Sequence, residues 1–115
     1  MGIDTHYYTV YGVKHEWDDK ISEFNENAYD DAYNDDDTPN VILDSMSGEY
    51  VIFGEILYDS GNLRWGDMED VFVEIDLYKL PAIETAYKKA FVAKFPEFAS
   101  LVEAPFKLMT FAHYS

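Results

Sequence analysis

The chain has no cysteine, one arginine among 115 residues, and no apolar run near the ~18 residues that a membrane span requires. Without cysteine there are no disulfides and no thiolate zinc sites, which fits a reducing, cytoplasmic setting. The N-terminal MGIDTHYYTV has neither a basic n-region nor an apolar h-region, so no secretory leader is expected. It also misses the myristoylation pattern, because His6 stands where serine or threonine is needed. Glycine-rich phosphate loops, dinucleotide fingerprints and G-x-S-x-G elbows are all lacking. The expectation is therefore a protein that is not an enzyme and carries no cofactor.

Positive charge is scarce as well. Eight Lys and Arg stand against 23 Asp and Glu, a formal net charge of −15. The imbalance is local: residues 81–115 hold three acids and four bases (+1), which leaves −16 for residues 1–80. Charge confined to one part of a chain marks a face, whereas evenly spread charge serves solubility. Carboxylates repel nucleic acid and anionic lipid, so neither is an expected direct ligand, and the expected partner is basic. With 48% hydrophobic and 17% aromatic residues the chain is too apolar for disorder. Its length fits one domain, residues 1–115.

What is abundant is concentrated between Trp17 and Asp37, WDDKISEFNENAYDDAYNDDD. At about 100° per residue Trp17, Ile21, Phe24, Ala28 and Ala32 fall on one side of a helix. Asp19, Glu23, Glu26 and Asp30 fall on the other, within a band roughly 60° wide. Asp18 or Asp19 is the expected N-cap, with carboxylates in the first turn where the helix dipole favours them. Asp30, Asp31 and Asp35–Asp37 sit at the end where the dipole opposes them, before Thr38-Pro39-Asn40 terminates the helix. From Glu16 to Asp37 ten acids face one base, Lys20, a net of −9. Stability alone does not select such a cluster.

Around this helix the chain reads as strands. Residues 5–13, THYYTVYGV, alternate, with Tyr7, Tyr11 and Val13 on one face and Tyr8 and Val10 on the other. Val41–Leu43 leads through Asp44–Gly48 into Tyr50–Tyr58, a central strand with a bulge or close contact at Gly54. Residues 70–78, DVFVEIDLY, predict a strand with Val71, Val73, Ile75 and Leu77 inward. Pro81 opens a second helix with Ile83, Tyr87, Ala90, Phe91 and Phe95 as its apolar stripe. Pro96 ends it, Glu97–Glu103 reads as a further turn or short helix before Pro105, and residues 106–111 form a last strand. The order β-α-β-β-β-α-β predicts an α+β fold: one twisted, mainly antiparallel sheet of about five strands, partly covered by two helices.

Other chemistry is thinly represented. Asp31–Asp37 lacks the glycine and glutamate spacing of an EF-hand, so no dedicated metal site is expected. His6, His15 and His113 are scattered, and Ser45 and Ser47 beside Asp44 lack a nucleophile context. Arg64-Trp65, bracketed by Gly61 and Gly66, reads as a loop packed on its own tryptophan or, less simply, as a contact. Carboxylates three and four apart on a helix stand ~5–6 Å apart, a spacing close to that of phosphates along a nucleic-acid strand. The candidate partner-binding set is therefore Asp19, Glu23, Glu26, Tyr29, Asp30, Tyr33, Asp35, Asp36 and Asp37. Asp67, Glu69 and Asp70 would extend it, and Trp17, Tyr29 and Tyr33 would serve as rigid anchors.

With the acidic helix flanked by the strands YYTVYGVK and FKLMTFAHYS, the chain resembles the small proteins with which bacteriophages disarm host defences. These include anti-CRISPR and anti-restriction DNA mimics. The resemblance lies in size, acidity, absence of cysteine and absence of enzyme motifs. It implies an inhibitor in the host cytoplasm that occupies the basic groove of a nucleic-acid-binding complex. The competing expectation is a non-enzymatic assembly module, such as a phage structural or regulatory subunit, a homodimer among its forms. Its interface would be the aromatic surface of Tyr7, Tyr8, Tyr11, Phe72 and Tyr78.

Overall fold

The computed structural model describes residues 5–44, 47–61 and 74–114. The fold is α+β, with one antiparallel sheet of four strands among the described residues, in the order β2-β3-β1-β4. The strands are β1 (Thr5–Glu16), β2 (Val41–Leu43), β3 (Tyr50–Asp59) and β4 (Lys107–Tyr114). The β2–β3 turn is built on Asp44, whose carboxylate accepts from the Ser47 amide, the Ser47 hydroxyl and the Glu49 amide. Gly48 supplies its positive φ of 63°.

The main core lies between the sheet and the helical segments. The first segment is α1 (Asp19–Phe24), continued by a π-helical turn (Asn25–Tyr29) and one last helical turn, α2 (Asp30–Ala32). The second, α3 (Leu80–Lys94), follows a 3-10 turn at Leu77–Lys79 and leads into another at Pro96–Val102. Pro81 stands in the first turn of α3, where a missing amide costs nothing. Tyr87, Phe91 and Phe95 are buried as expected, Ile83 is half-buried, and Ala90 is exposed. Phe24 is the hub: its ring meets Phe53 at 5.4 Å, Phe95 at 5.0 Å and Phe98 at 5.3 Å between centroids. Such edge-to-face pairs add to simple area burial.

The expected strand over residues 70–78 is not formed where it can be followed. Residues 70–73 lie outside the described residues. Glu74–Asp76 is irregular and Leu77 begins a 3-10 turn, with its side chain 67% exposed instead of inward. The alternation DVFVEIDLY has the period of a strand, but Asp76 and Lys79 close a turn through Lys79 N–H to Asp76 O, 3.0 Å, as the lead-in to α3. Local turn chemistry overrides the pattern there. The sheet therefore has four described strands instead of about five.

The sheet is strongly coiled. In register Tyr50 lies opposite Glu16, and His113 lies opposite His6, ten residues along β1. A flat strand would separate those positions by about 33 Å. Yet the Tyr50 hydroxyl shares a 2.8 Å hydrogen bond with His113 Nδ1. Opposite corners of the sheet thus meet across its concave face, enclosing Val10, Ile42 and Ile52, with Tyr8, Ile56, Met109 and Phe111 packed around them. Two features allow the coil. Leu57 is an extra residue in β3 where the register shifts between Thr9 and Val10, and such bulges increase twist. Gly12 and Gly54 face each other at the crossing; a Cβ on Gly12 would stand 2.1 Å from Phe53 O, and one on Gly54 2.5 Å from Tyr11 O. The close contact expected at Gly54 is real, and the bulge lies elsewhere.

Gly12→Ala is accordingly expected to cost roughly 3 kcal/mol or more, since the obstructing atoms are backbone. Exposed Val92→Ala should fall within about 0.5 kcal/mol of the parent, and urea midpoints with an unchanged slope would show both. His113 gives a pH-dependent prediction. Burial, reinforced by His6 and opposed by Asp44, pushes its imidazole below the ordinary 6.5. The unfolded chain then takes up a proton at a higher pH than the folded one. The contribution of neutral His113 is intact above about 6.5 and is lost as pH falls through the folded value. An NMR titration should place this ring below 6.5, and His113→Gln should remove the corresponding step from the stability–pH curve.

Candidate interaction surface

The acidic segment folds the way its caps dictate. Asp18 is the N-cap in extended backbone, and its Oδ1 accepts from the Ile21 amide at 2.9 Å. Trp17 is half-buried and donates its indole N–H to Ser22 Oγ at 3.0 Å, fixing the entry into the helix. Ile21, Phe24 and Ala32 are buried, and Trp17 and Ala28 pack against the same core, so the apolar stripe is as read. At the other end the Thr38 hydroxyl donates to the Ala32 carbonyl, ending the helix at Ala32. Residues 33–37 form turns, not further helix.

An unbroken wheel misses one thing. Asp30 N–H bonds to Asn25 O, an i→i+5 bond, so Asn25–Tyr29 winds as a π turn. Such a turn equals one inserted residue and rotates everything beyond it by roughly 100°. Tyr29 therefore turns inward with Ala28, stacking on Phe24 at 5.7 Å, and burial raises its phenol pKa. It is a core residue more than a free anchor. Tyr33, 57% exposed and 6.2 Å from the Tyr29 ring, is the tyrosine that solvent reaches.

The carboxylates stay outside. Asp19, Glu23, Glu26, Asp30, Asp31 and Asp36 are all exposed, and no ion pair engages them among the described residues. Asp30 lies past the π turn, off the band that an ideal helix would give it. Asp35 and Asp37 behave differently: both bind Lys94 at the end of α3, at 2.9 and 2.7 Å. The hydrogen bond from Lys94 holds the Asp37 carboxyl below the usual range, and Lys94 is raised in turn by Asp37 and then Asp35. Two of the charges at the unfavourable end of the helix thus tie the turn to α3. Asp67, Glu69, Asp70, Arg64, Trp65 and Ser45 lie outside the described residues.

Among the described residues no grouping of three or more His, Asp and Glu is arranged to hold a metal ion. The histidines are less scattered than their numbering implies. His6 and His113 are cross-strand partners, and Tyr8 stacks on His6 at 5.6 Å and meets His113 edge-on at 5.8 Å. His6 Nδ1 lies 2.9 Å from Asp59 Oδ1. Burial pushes the Asp59 carboxyl up, but hydrogen bonds from His6 and the Gly61 amide outweigh it and leave it below its ordinary value. Antiparallel pairing of the two terminal strands is the sequence signal that joins these residues. His15 is separate and donates its Nε2–H to the Leu101 carbonyl.

The arrangement offers an exposed row of carboxylates on a rigid, core-anchored helix.

Comparison with protein-family models, with curated proteins and with solved structures finds no match.

Among the described residues no helix is long and apolar enough to cross a membrane. The Lys94 clamp is directly testable. Lys94→Met should leave the core intact and shift the urea midpoint only slightly, since both carboxylates are exposed. It should nevertheless speed amide hydrogen exchange over residues 33–39.

Proposed function

We propose that this protein is an inhibitory binding protein whose acidic helix stands in for nucleic-acid phosphates. It docks in the basic groove of a nucleic-acid-binding complex, of the kind found in host defence, and blocks the substrate. The observation that carries this reading is the exposed set Asp19, Glu23, Glu26, Asp30 and Asp31 on the helix, none in an ion pair among the described residues, with Asp36 exposed in the turn beyond. The helix that bears it is pinned from inside by Ile21 and Phe24. Carboxylates on such a support form charge-assisted pairs with arginine without losing much conformational freedom. The −15 net charge adds long-range steering, which accelerates association and makes it sensitive to salt. Asp35 and Asp37 contribute through the field more than through contact, because Lys94 occupies them. Tyr33 supplies the exposed aromatic edge of the surface.

The second reading, an assembly module, has its own support. The aromatic surface first drawn for it is divided, since Tyr8 lies on the concave face while Tyr11 faces α3, where its hydroxyl donates to Glu84. Phe72 lies outside the described residues. What favours assembly instead is β4, at the edge of the described sheet, whose residues 108–114 carry no Asp, Glu, Lys, Arg or proline, with Leu108 44% and Tyr7 46% exposed.

The decisive experiment is capture of partners from a bacterial lysate at ~50 and ~500 mM salt, a range over which screening changes from weak to strong. Inhibition is expected to require a captured nucleic-acid-binding complex, to be competed by DNA, and to fade at high salt. Glu23→Lys/Glu26→Lys/Asp30→Lys should weaken binding at least a hundredfold while thermal unfolding stays cooperative. A folded triple variant with unchanged binding would overturn the reading. Salt-resistant self-association would support the assembly module.

A further inference from the structure

The concave face of the sheet holds a hollow that the acidic helix does not touch. One part, about 250 Å³, lies between Tyr50, Ile52, Met109 and Phe111. A second, about 320 Å³, shares Lys14 and Met109 with it and runs past Gly12 to the sheet edge, where Val13, His15, Ala104, Pro105 and Lys107 complete its lining. The floor is apolar, and together the two parts are of the size that small-molecule sites have.

The rim is cationic. Lys107 lies opposite Gly12, and Lys14 is two residues further along β1 on the same face, so the pair is a diagonal cross-strand neighbour at roughly 7–8 Å. Lys14 lies over the Tyr50 ring at 5.6 Å, which holds it against the hollow. Neither lysine makes an ion pair among the described residues, and Glu16, further along the face, is not within ion-pair distance of Lys14. Acids outnumber bases nearly three to one in this chain, yet two cations stand together here without a carboxylate between them. An apolar floor with a paired ammonium rim is complementary to a molecule with an apolar body and an anionic end.

We propose that this hollow binds a medium-chain alkyl carboxylate, its chain against Tyr50, Ile52, Met109 and Phe111 and its headgroup between Lys14 and Lys107. This site is independent of the acidic helix and of any partner bound there. A ¹H–¹⁵N NMR titration of the whole chain with decanoate below its micelle concentration tests it. Saturable shifts are expected at residues 12–14, 50–52 and 107–112. Decanol, which lacks the charge, should bind roughly tenfold more weakly, and Lys14→Gln and Lys107→Gln should each weaken decanoate roughly fivefold. Both lysines are exposed, so the variants should keep the parent spectrum and melting curve. Equal binding of decanol, unchanged affinity in both variants, or shifts confined to residues 19–33 would overturn the proposal. Sedimentation with anionic phospholipid vesicles, without a response to free decanoate, would overturn it in favour of a membrane surface.

Discussion

Two glycines facing each other set the shape of this molecule. Gly12 and Gly54 sit where the two longest strands cross, and neither has room for a methyl group because the other strand's backbone occupies the space. Backbones this close let the sheet bend back on itself, and the bend brings Tyr50 to His113. A flatter sheet would expose Val10, Ile42 and Ile52, which are almost fully buried and, among the described residues, packed only by strand side chains. The small second core is thus a consequence of curvature. The main core can then be devoted to aromatic packing around Phe24. Satisfied polar groups follow the same logic: Asp44 and Tyr87 are buried, and each is hydrogen-bonded, Tyr87 to the Asn40 carbonyl, with its phenol pushed well above the usual range.

The acidic helix shows two demands on one segment. Packing fixes its inner face, and the π turn is how the chain keeps both Ala28 and Tyr29 against the core after Phe24. Such turns are uncommon and cost hydrogen-bond geometry, so they persist where something else is gained. Here the gain is aromatic contact: Phe24 on Tyr29, and Tyr29 on Tyr33. The outer face is freed from any packing role. Asp35 and Asp37 have a structural reason to be acidic, since they hold Lys94. Asp30, Asp31 and Asp36 have no ion pair among the described residues, although they stand where the helix dipole and their neighbours oppose them.

Much of this was legible in the chain. A cap at Asp18 or Asp19, the stripe through Ile21, Phe24 and Ala32, the β2–β3 turn at Gly48, the opening of α3 at Pro81 and the faces of β1 all follow from short-range rules, and the structure has them, with Asp18 as the cap. The misses were of two kinds. Residues 74–78 alternate like a strand, and only the turn that leads into α3 decides otherwise. The π turn and the His6–His113 pairing depend on what lies across the fold: a wheel at fixed pitch has no place for an inserted residue, and residues 107 positions apart meet only once strand order is known. For the acidic row, sequence located the charges, but only the structure separates those held by Lys94 from those left open.

The sheet order also explains how opposite charge is kept apart in so acidic a chain. The N-terminal strand β1 is central, with β3 on one side and β4 on the other. The acidic helix leaves β1 and enters β2, at the edge away from β4, so the near-neutral C-terminal part supplies the other edge. Lys107 on β4 then meets Lys14 on β1 across the glycine, beyond reach of the carboxylate row. Had β4 added beside β2 instead, Lys107 would lie near the turn that holds Asp44 and Glu49, and its charge would be absorbed there. A topology that sets a small cationic rim on the sheet face away from the acidic helix leaves both surfaces able to act on different ligands. Screening at physiological ionic strength acts over about 8 Å, so at contact each surface is governed mainly by its own nearest charges, while the net charge acts on the approach of a partner.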